Sequence, residues 1–179
     1  MASLGTSSGE YGALVGTKKH KSGENYSILL VCTANQCRSP MAEVLFKEFL
    51  KLQDQSAANW RVESAGVNAA QNSSASPHTQ EVVAELGLDL SQHQSKVVTK
   101  DLLKSFQLIL TMEKWQRQFI LQLCPEISNR VLMLSQVIGI EKDIIDPIGM
   151  SNNNYRDILK EIQSYFEKGW KNILHLAKK

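Results

Sequence analysis

The stretch Val31-Cys32-Thr33-Ala34-Asn35-Gln36-Cys37-Arg38-Ser39-Pro40-Met41-Ala42-Glu43 decides how the chain is read. The run "YSILLVC" at 26–32 leads into it, a short continuous apolar segment that predicts a buried β-strand. Beyond it, Met41, Val44, Leu45, Phe46 and Phe49 recur at helical spacing, which predicts a helix over 40–52 with Ser39 as N-cap and Pro40 at its first position. Two cysteines and an arginine therefore sit on a loop that runs from a strand end into a helix N-terminus. Such a loop aims backbone N–H groups at one point, and the helix dipole adds positive potential there. The expected ligand is an anion, phosphate above all.

The side chains extend that expectation. Arg38 offers a planar fork to two phosphate oxygens. Cys32 enters the loop first, where the field favours the thiolate, the nucleophilic form. Thiolate and bound phosphate together suggest attack on phosphorus and a phosphocysteine intermediate. Asn35 is a residue able to take the left-handed conformation that curls such a loop. The Ser39 hydroxyl can reach the Cys32 sulfur. Taken alone, Cys-x5-Arg is a weak pattern, a cysteine at a strand end is commonly a small core residue, and Cys32 with Cys37 could begin a metal site. No second Cys/His pair at ligand spacing follows, so no metal and no cofactor are expected.

Further along, "WRVESAGV" predicts a second strand closed by Gly66, and "SPHTQEVVAELGL" a helix capped by Ser76, opened by Pro77 and stopped at Gly87. Residues 99–105 predict a short helix, "FQLILTM" a third strand, 113–123 a helix ending before Pro125, "NRVLMLSQV" a fourth strand, and 155–176 a long amphipathic helix. Strands alternating with helices imply an α/β fold: one domain, a four-stranded parallel sheet with helices on both faces. Ligands bind such sheets at the carboxyl ends of the strands, where the quoted loop lies.

The chain of 179 residues is 42% hydrophobic and 21% charged, enough for a core of its own. A formal net charge of +2 gives no case for nucleic acid, and no apolar run reaches the length of a bilayer span, so no membrane is expected. Three cysteines, Cys32, Cys37 and Cys124, are too few and odd for a disulfide framework; with no apolar leader, a cytoplasmic location is expected. Residues 1–25 are rich in glycine and serine, carry the basic run Lys18-Lys19-His20-Lys21, and show no periodicity. They are expected to form a flexible tail ahead of a domain at 26–179.

The loop resembles the signature of the low-molecular-weight protein tyrosine phosphatases, Val-Cys-x-Gly-Asn-x-Cys-Arg-Ser-Pro-x-Ala-Glu. It matches at 31–43 with one departure, Ala34 for glycine. "ESAGV", "FQLILTM" and "IIDPIG" are similar to the family's second strand, third strand and Asp-Pro loop. The resemblance covers about 27–172 and implies a phosphatase acting on phosphotyrosine in proteins. By the same resemblance Cys32, Arg38 and Asp146 are the catalytic residues, Asp146 serving as general acid and later as base. Thr33, Ala34, Asn35, Gln36, Cys37, Ser39 and Ile148 would contact substrate. Asn35 would bond Ser64, with His93 nearby, and Glu113 falls near a bracing acid of some relatives. Cys37 would also guard Cys32 through a reversible disulfide.

The expected partners are a phosphoprotein and a tyrosine kinase of the same pathway. Behind Asp146-Pro147 stand Ile148-Gly149 where tyrosine phosphatases carry aromatic side chains. The spacing of "SAGVNAAQNSSASPH" and "DPIGMSNNNY" resembles the bacterial branch that includes protein-arginine phosphatases, so phosphoarginine is a second candidate substrate. Arsenate reductases share the loop but need two further cysteines, and only Cys124 is left. A non-catalytic phosphate-binding module would need neither the nucleophile nor the acid.

Overall fold

The computed structural model describes residues 25–53 and 59–178; the expected tail at 1–25 lies outside them except for Asn25. Strands β1 (Tyr26–Cys32), β2 (Trp60–Gly66), β3 (Leu108–Thr111) and β4 (Val131–Met133) form one parallel sheet in the order β2-β1-β3-β4. The α-helices are α1 (Arg38–Leu52), α2 (Pro77–Ala84), α3 (Lys100–Lys104), α4 (Lys114–Leu123) and α5 (Asn152–Leu176).

β1 is central, and its composition follows from that. Ile28, Leu29, Leu30 and Val31 are all fully buried, as a strand covered on both faces requires. Alternation along the strand divides the core. Ile28, Leu30 and Cys32 point into the larger cluster with residues of α1, α2 and α5, such as Phe46, Val83 and Phe166. Leu29 and Val31 point to the other face, against Leu103, Phe106 and Ile120 on the α3–α4 side. The aromatic rings of Tyr26, Phe46, Trp60 and Trp170 pack together in the first cluster, with Tyr26 stacked on Trp60 at 4.7 Å. Cys32 thus inherits its direction from the strand's period of two and is only 2% exposed.

Three local expectations are corrected. α1 begins at Arg38 with Cys37 as its N-cap, so Ser39 and Pro40 belong to the first turn. The Ser39 hydroxyl is directed to Cys32 and Asn35 instead of capping the helix. The fourth strand is only Val131–Met133; the chain then winds into a 3-10 helix, Leu134–Ile138. There Gln136 Oε1 accepts the Met133 N–H, and Gly139 ends the turn at φ 79°. α5 starts at Asn152, one turn earlier than its apolar periodicity indicates, because the polar run Asn152-Asn153-Asn154 carries no core face. Ser76 does cap α2, accepting from the Thr79 N–H at 3.3 Å, and Thr99 caps α3 in the same way at 3.1 Å.

Candidate active site

The carboxyl ends of β1, β2 and β3 meet at the β1–α1 loop. Cys32 pairs in register with Gly66, and Val31 with both Ala65 and Thr111. Gly66 has to be glycine: a Cβ there would lie 2.5 Å from the Thr33 carbonyl oxygen and 2.9 Å from the Asn35 nitrogen. The loop therefore folds directly over β2, with the Asn68 N–H bonded to the Thr33 carbonyl at 2.9 Å. Ala34, half-buried, sits in the same stretch of close backbone contact.

Asn35 organises the loop from within. It is fully buried at φ 55°, the left-handed conformation. Its Nδ2 donates to Ser39 Oγ and Ser64 Oγ, both at 2.9 Å, and its Oδ1 accepts the Lys96 N–H at 3.0 Å. Ser64 passes the chain on, donating to Glu43 Oε2 at 2.7 Å. The ring of His93 meets the Asn35 carbonyl at 2.7 Å. A buried amide with every hydrogen-bonding group occupied is a rigid element, since breaking any bond would strand a polar group away from water.

The Cys32 sulfur faces this scaffold. Ser39 Oγ lies 3.0 Å from Sγ, and the Asn35 backbone N–H points at it from 3.3 Å. Between Ser39 Oγ and Cys32 Sγ either group can be the donor.

Arg38 is the largest fully buried side chain, 1% exposed. Its Nη1 donates to Glu113 Oε2 and to the Ile144 carbonyl, both at 2.7 Å. Its Nη2 donates to Asp146 Oδ2 at 2.5 Å and to Thr33 Oγ1 at 3.4 Å. Its Nε is buried and has no protein acceptor. A buried N–H of this sort calls for an acceptor, and a phosphate oxygen is one.

Asp146 stands where the loop after β4 reaches the site. Its Oδ1 accepts the Ile148 N–H at 3.3 Å, and Gly149 turns the chain at φ 76°. Ile148 is 59% exposed and no aromatic side chain follows Asp146-Pro147. Asp143, by contrast, bonds the Lys114 N–H at the start of α4. Gln36 gives its carbonyl to the Ser76 N–H at 2.8 Å, tying the loop to α2. Cys37 Sγ donates to Ser76 Oγ at 3.3 Å and lies 3.7 Å from Tyr155 Oη. Burial, with the Cys37 contact added, pushes the Tyr155 hydroxyl up to about 12. Cys124 is fully buried and its thiol is pushed up by that burial. All three cysteines are unbridged.

The arrangement thus brings Cys32, Thr33, Asn35, Arg38, Ser39, Ser64, His93 and Asp146 into one connected site. Two participants are not singled out as site residues by the sequence. Gly66 carries a usable signal, since a glycine ending a strand marks close backbone approach. Gln116 does not: it is buried and donates to Thr33 Oγ1 at 3.2 Å from 83 residues away. No group of three or more His, Cys, Asp or Glu among the described residues is placed to hold a metal ion. The cavities at other places serve other geometry: an apolar one of about 100 Å³ between α1 and α5 is lined by Leu45, Phe49, Leu86 and Phe166, none of which touches the loop chemistry.

Comparison with known proteins points the same way. Residues 27–178 match the low molecular weight phosphotyrosine protein phosphatase family. The chain is 36% identical over 137 residues to a protein-arginine-phosphatase of Bacillus subtilis, covering 76% of this chain and 89% of that one. It is 33% identical over 129 residues to the low molecular weight protein-tyrosine-phosphatase Wzb of Escherichia coli K12, covering 72% and 82%. Among solved structures, the YwlE arginine phosphatase with a phosphorylated active-site serine in place of cysteine superposes with a TM-score of 0.77 at 33% identity, covering 83% of this chain and 95% of that one.

Proposed function

Because the chain belongs to the low molecular weight phosphotyrosine protein phosphatase family, whose members are cysteine-dependent hydrolases, we propose that it removes phosphate from tyrosine side chains of proteins in two steps through Cys32. The observation that carries this reading is the Cys32 sulfur, held by Ser39 and the Asn35 N–H on the loop that Arg38 closes.

In the first step the Cys32 thiolate attacks phosphorus in line with the ester oxygen. A sulfur–phosphorus bond forms, the phosphorus–oxygen bond breaks, and Asp146 delivers its proton to the departing phenolate. Arg38 and the loop N–H groups bind the equatorial oxygens, over which the charge is spread in the transition state. In the second step water attacks the phosphocysteine, Asp146 takes the water's proton, and phosphate leaves with the thiolate restored. Ser39 stabilises that thiolate as leaving group. Asn35, Ser64 and His93 keep the loop in shape. Thr33, Ala34, Gln36 and Cys37 offer backbone to the phosphate, and Ile148 walls the entrance. Cys37 also serves as the resolving thiol when peroxide oxidises Cys32, after leaving Ser76. No step needs a metal or cofactor.

The substrate is a phosphoprotein, and a tyrosine kinase of the same pathway is the enzyme that would make it. The unbridged cysteines suit the cytoplasm. No helix among the described residues is long and apolar enough to cross a membrane. The domain that does this work is residues 26–179.

A second reading, a protein-arginine phosphatase, is favoured by the aliphatic Ile148 behind Asp146-Pro147 and by the identity to the Bacillus subtilis enzyme. A guanidinium would meet the Asp146 carboxylate, which already binds one in Arg38. Turnover of matched phosphotyrosine and phosphoarginine peptides separates the two. Higher kcat/KM on phosphotyrosine is expected; higher kcat/KM on phosphoarginine moves the assignment to the second reading. No turnover of either, nor of a simple aryl phosphate, would leave only a phosphate-binding module.

A further inference from the structure

Gln116 occupies the third position of α4 and is completely buried. Its amide orientation is dictated by its neighbours. Oε1 accepts from two backbone N–H groups, Met112 at 3.0 Å and Glu113 at 3.1 Å. Nε2 must then face the other side, where it donates to Glu113 Oε2 at 2.6 Å and Thr33 Oγ1 at 3.2 Å. These two acceptors also receive the two ends of the Arg38 fork: Glu113 Oε2 receives Nη1, and Thr33 Oγ1 receives Nη2. One amide group therefore joins both supports of the guanidinium.

We propose that Gln116 is a positioning residue that fixes the plane of the Arg38 guanidinium by holding Glu113 and Thr33 at a set separation. This rests on the reading that Arg38 binds the transferred phosphoryl group. The geometry gives a reason for an amide rather than any other side chain. Glu113 Oε2 is approached by Arg38 and by residue 116 at the same time, so residue 116 must donate there. It must accept on its other side, from the helix-start N–H groups. Only an amide of glutamine length presents both faces from this backbone position. A glutamate would satisfy the two N–H donors equally well but would set a second carboxylate against Glu113. Two carboxylates at hydrogen-bond distance share one proton and cannot both ionise without moving apart.

That difference provides the test. Steady-state kinetics on a simple aryl phosphate are measured for the full-length wild type, Gln116→Glu, Gln116→Leu and Arg38→Lys, across about pH 5 to pH 8, the range over which a shared carboxyl proton is lost. Thermal unfolding is followed in the same buffers. Gln116→Glu should keep kcat within a few-fold of wild type at the acid end and lose roughly tenfold or more relative to it as the shared proton leaves. KM should rise with that loss, while the fold remains intact below the assay temperature. Gln116→Leu should lose activity by a similar factor with no added pH dependence. If Gln116→Leu does not fold, Gln116→Glu decides alone, because it keeps the backbone donors satisfied.

A Gln116→Glu profile parallel to wild type at every pH would overturn the proposal, and so would a loss of activity that only tracks unfolding. Arg38→Lys tests the underlying reading separately. Near-normal activity in Arg38→Lys would remove the role of Arg38 itself, whereas a crippled Arg38→Lys beside an unaffected Gln116→Glu would remove only the role of Gln116.

Discussion

The two loops that meet at Arg38 are built in opposite ways. In the β1–α1 loop and the first turn of α1, Asn35, Arg38 and Ser39 are buried, and the side chains of Asn35 and Ser39 are hydrogen-bonded within the protein. In the loop that carries Asp146, the neighbouring Ile145 and Ile148 are 61% and 59% exposed, and Met150 is also exposed. The first is held by hydrogen bonds to Ser64 in β2, to Asn68 just beyond it, and to Ser76, His93 and Lys96; the second meets Arg38 through the Ile144 carbonyl and the Asp146 carboxylate. Phosphate has the same shape in every substrate, so its cradle can be rigid and preorganised. The leaving group changes from one substrate to another, so a loop proposed to protonate it gains from an exposed rim.

Substitutions in the two loops should therefore have unlike effects. The largest effect is expected from Asp146→Asn, which keeps size but cannot donate as an acid. A tyrosine phenolate, with a pKa of about 10, needs the proton, whereas an activated phenolate departs without it. Phosphoenzyme formation from phosphotyrosine should slow on the order of a hundredfold or more, and far less from an activated aryl phosphate. Burst kinetics read this step before the second one, in which Asp146 is proposed to act as base. Equal losses on both would make Asp146 a loop-shaping residue.

Asn35→Ala attacks the rigid side of the comparison. It removes three buried hydrogen bonds and leaves alanine in a left-handed conformation, a loss of about 2–4 kcal/mol. The melting temperature should fall by roughly 5 °C or more, and the rate should fall on all substrates alike. A normal melting temperature would mean the loop is not braced from within. Ile148→Ala acts on the exposed rim. It should leave stability unchanged and alter KM by a few-fold in a way that depends on the peptide, because a half-exposed side chain loses little burial. The smallest effect belongs to removal of residues 1–25: the family match begins at residue 27, and kcat/KM on a phosphopeptide should be unaltered. A large fall would place part of the catalytic fold in that segment.

The contrast also explains what the sequence discloses. β1 and its loop are local in sequence, so an apolar run, a left-handed asparagine and an arginine six residues after a cysteine are enough to read them. Gly66 and Ser64 are legible once β2 is paired with β1 in parallel register, since register puts them beside Cys32 and Leu30. The Ser39-Pro40 pair reads as a cap because isolated helices need one; Ser39 Oγ instead lies 3.0 Å from Cys32 Sγ, and the helix starts earlier. Gln116 and the Ile144 carbonyl are illegible, since their contacts to Thr33 and Arg38 arise only when β3 and the Asp146 loop close around the buried guanidinium. The truncated β4 follows from Gln136, whose side chain takes the Met133 N–H, which an apolar pattern does not register.

The claim beneath all of this is that the braced loop exists to present one sulfur to phosphorus. The most direct measurement is acid quenching of the full-length protein during turnover of an aryl phosphate, followed by mass spectrometry of its peptides. In the wild type one added phosphoryl group is expected on Cys32, with steady turnover abolished in Cys32→Ser. Phosphate on another residue, or steady turnover by Cys32→Ser, would contradict it.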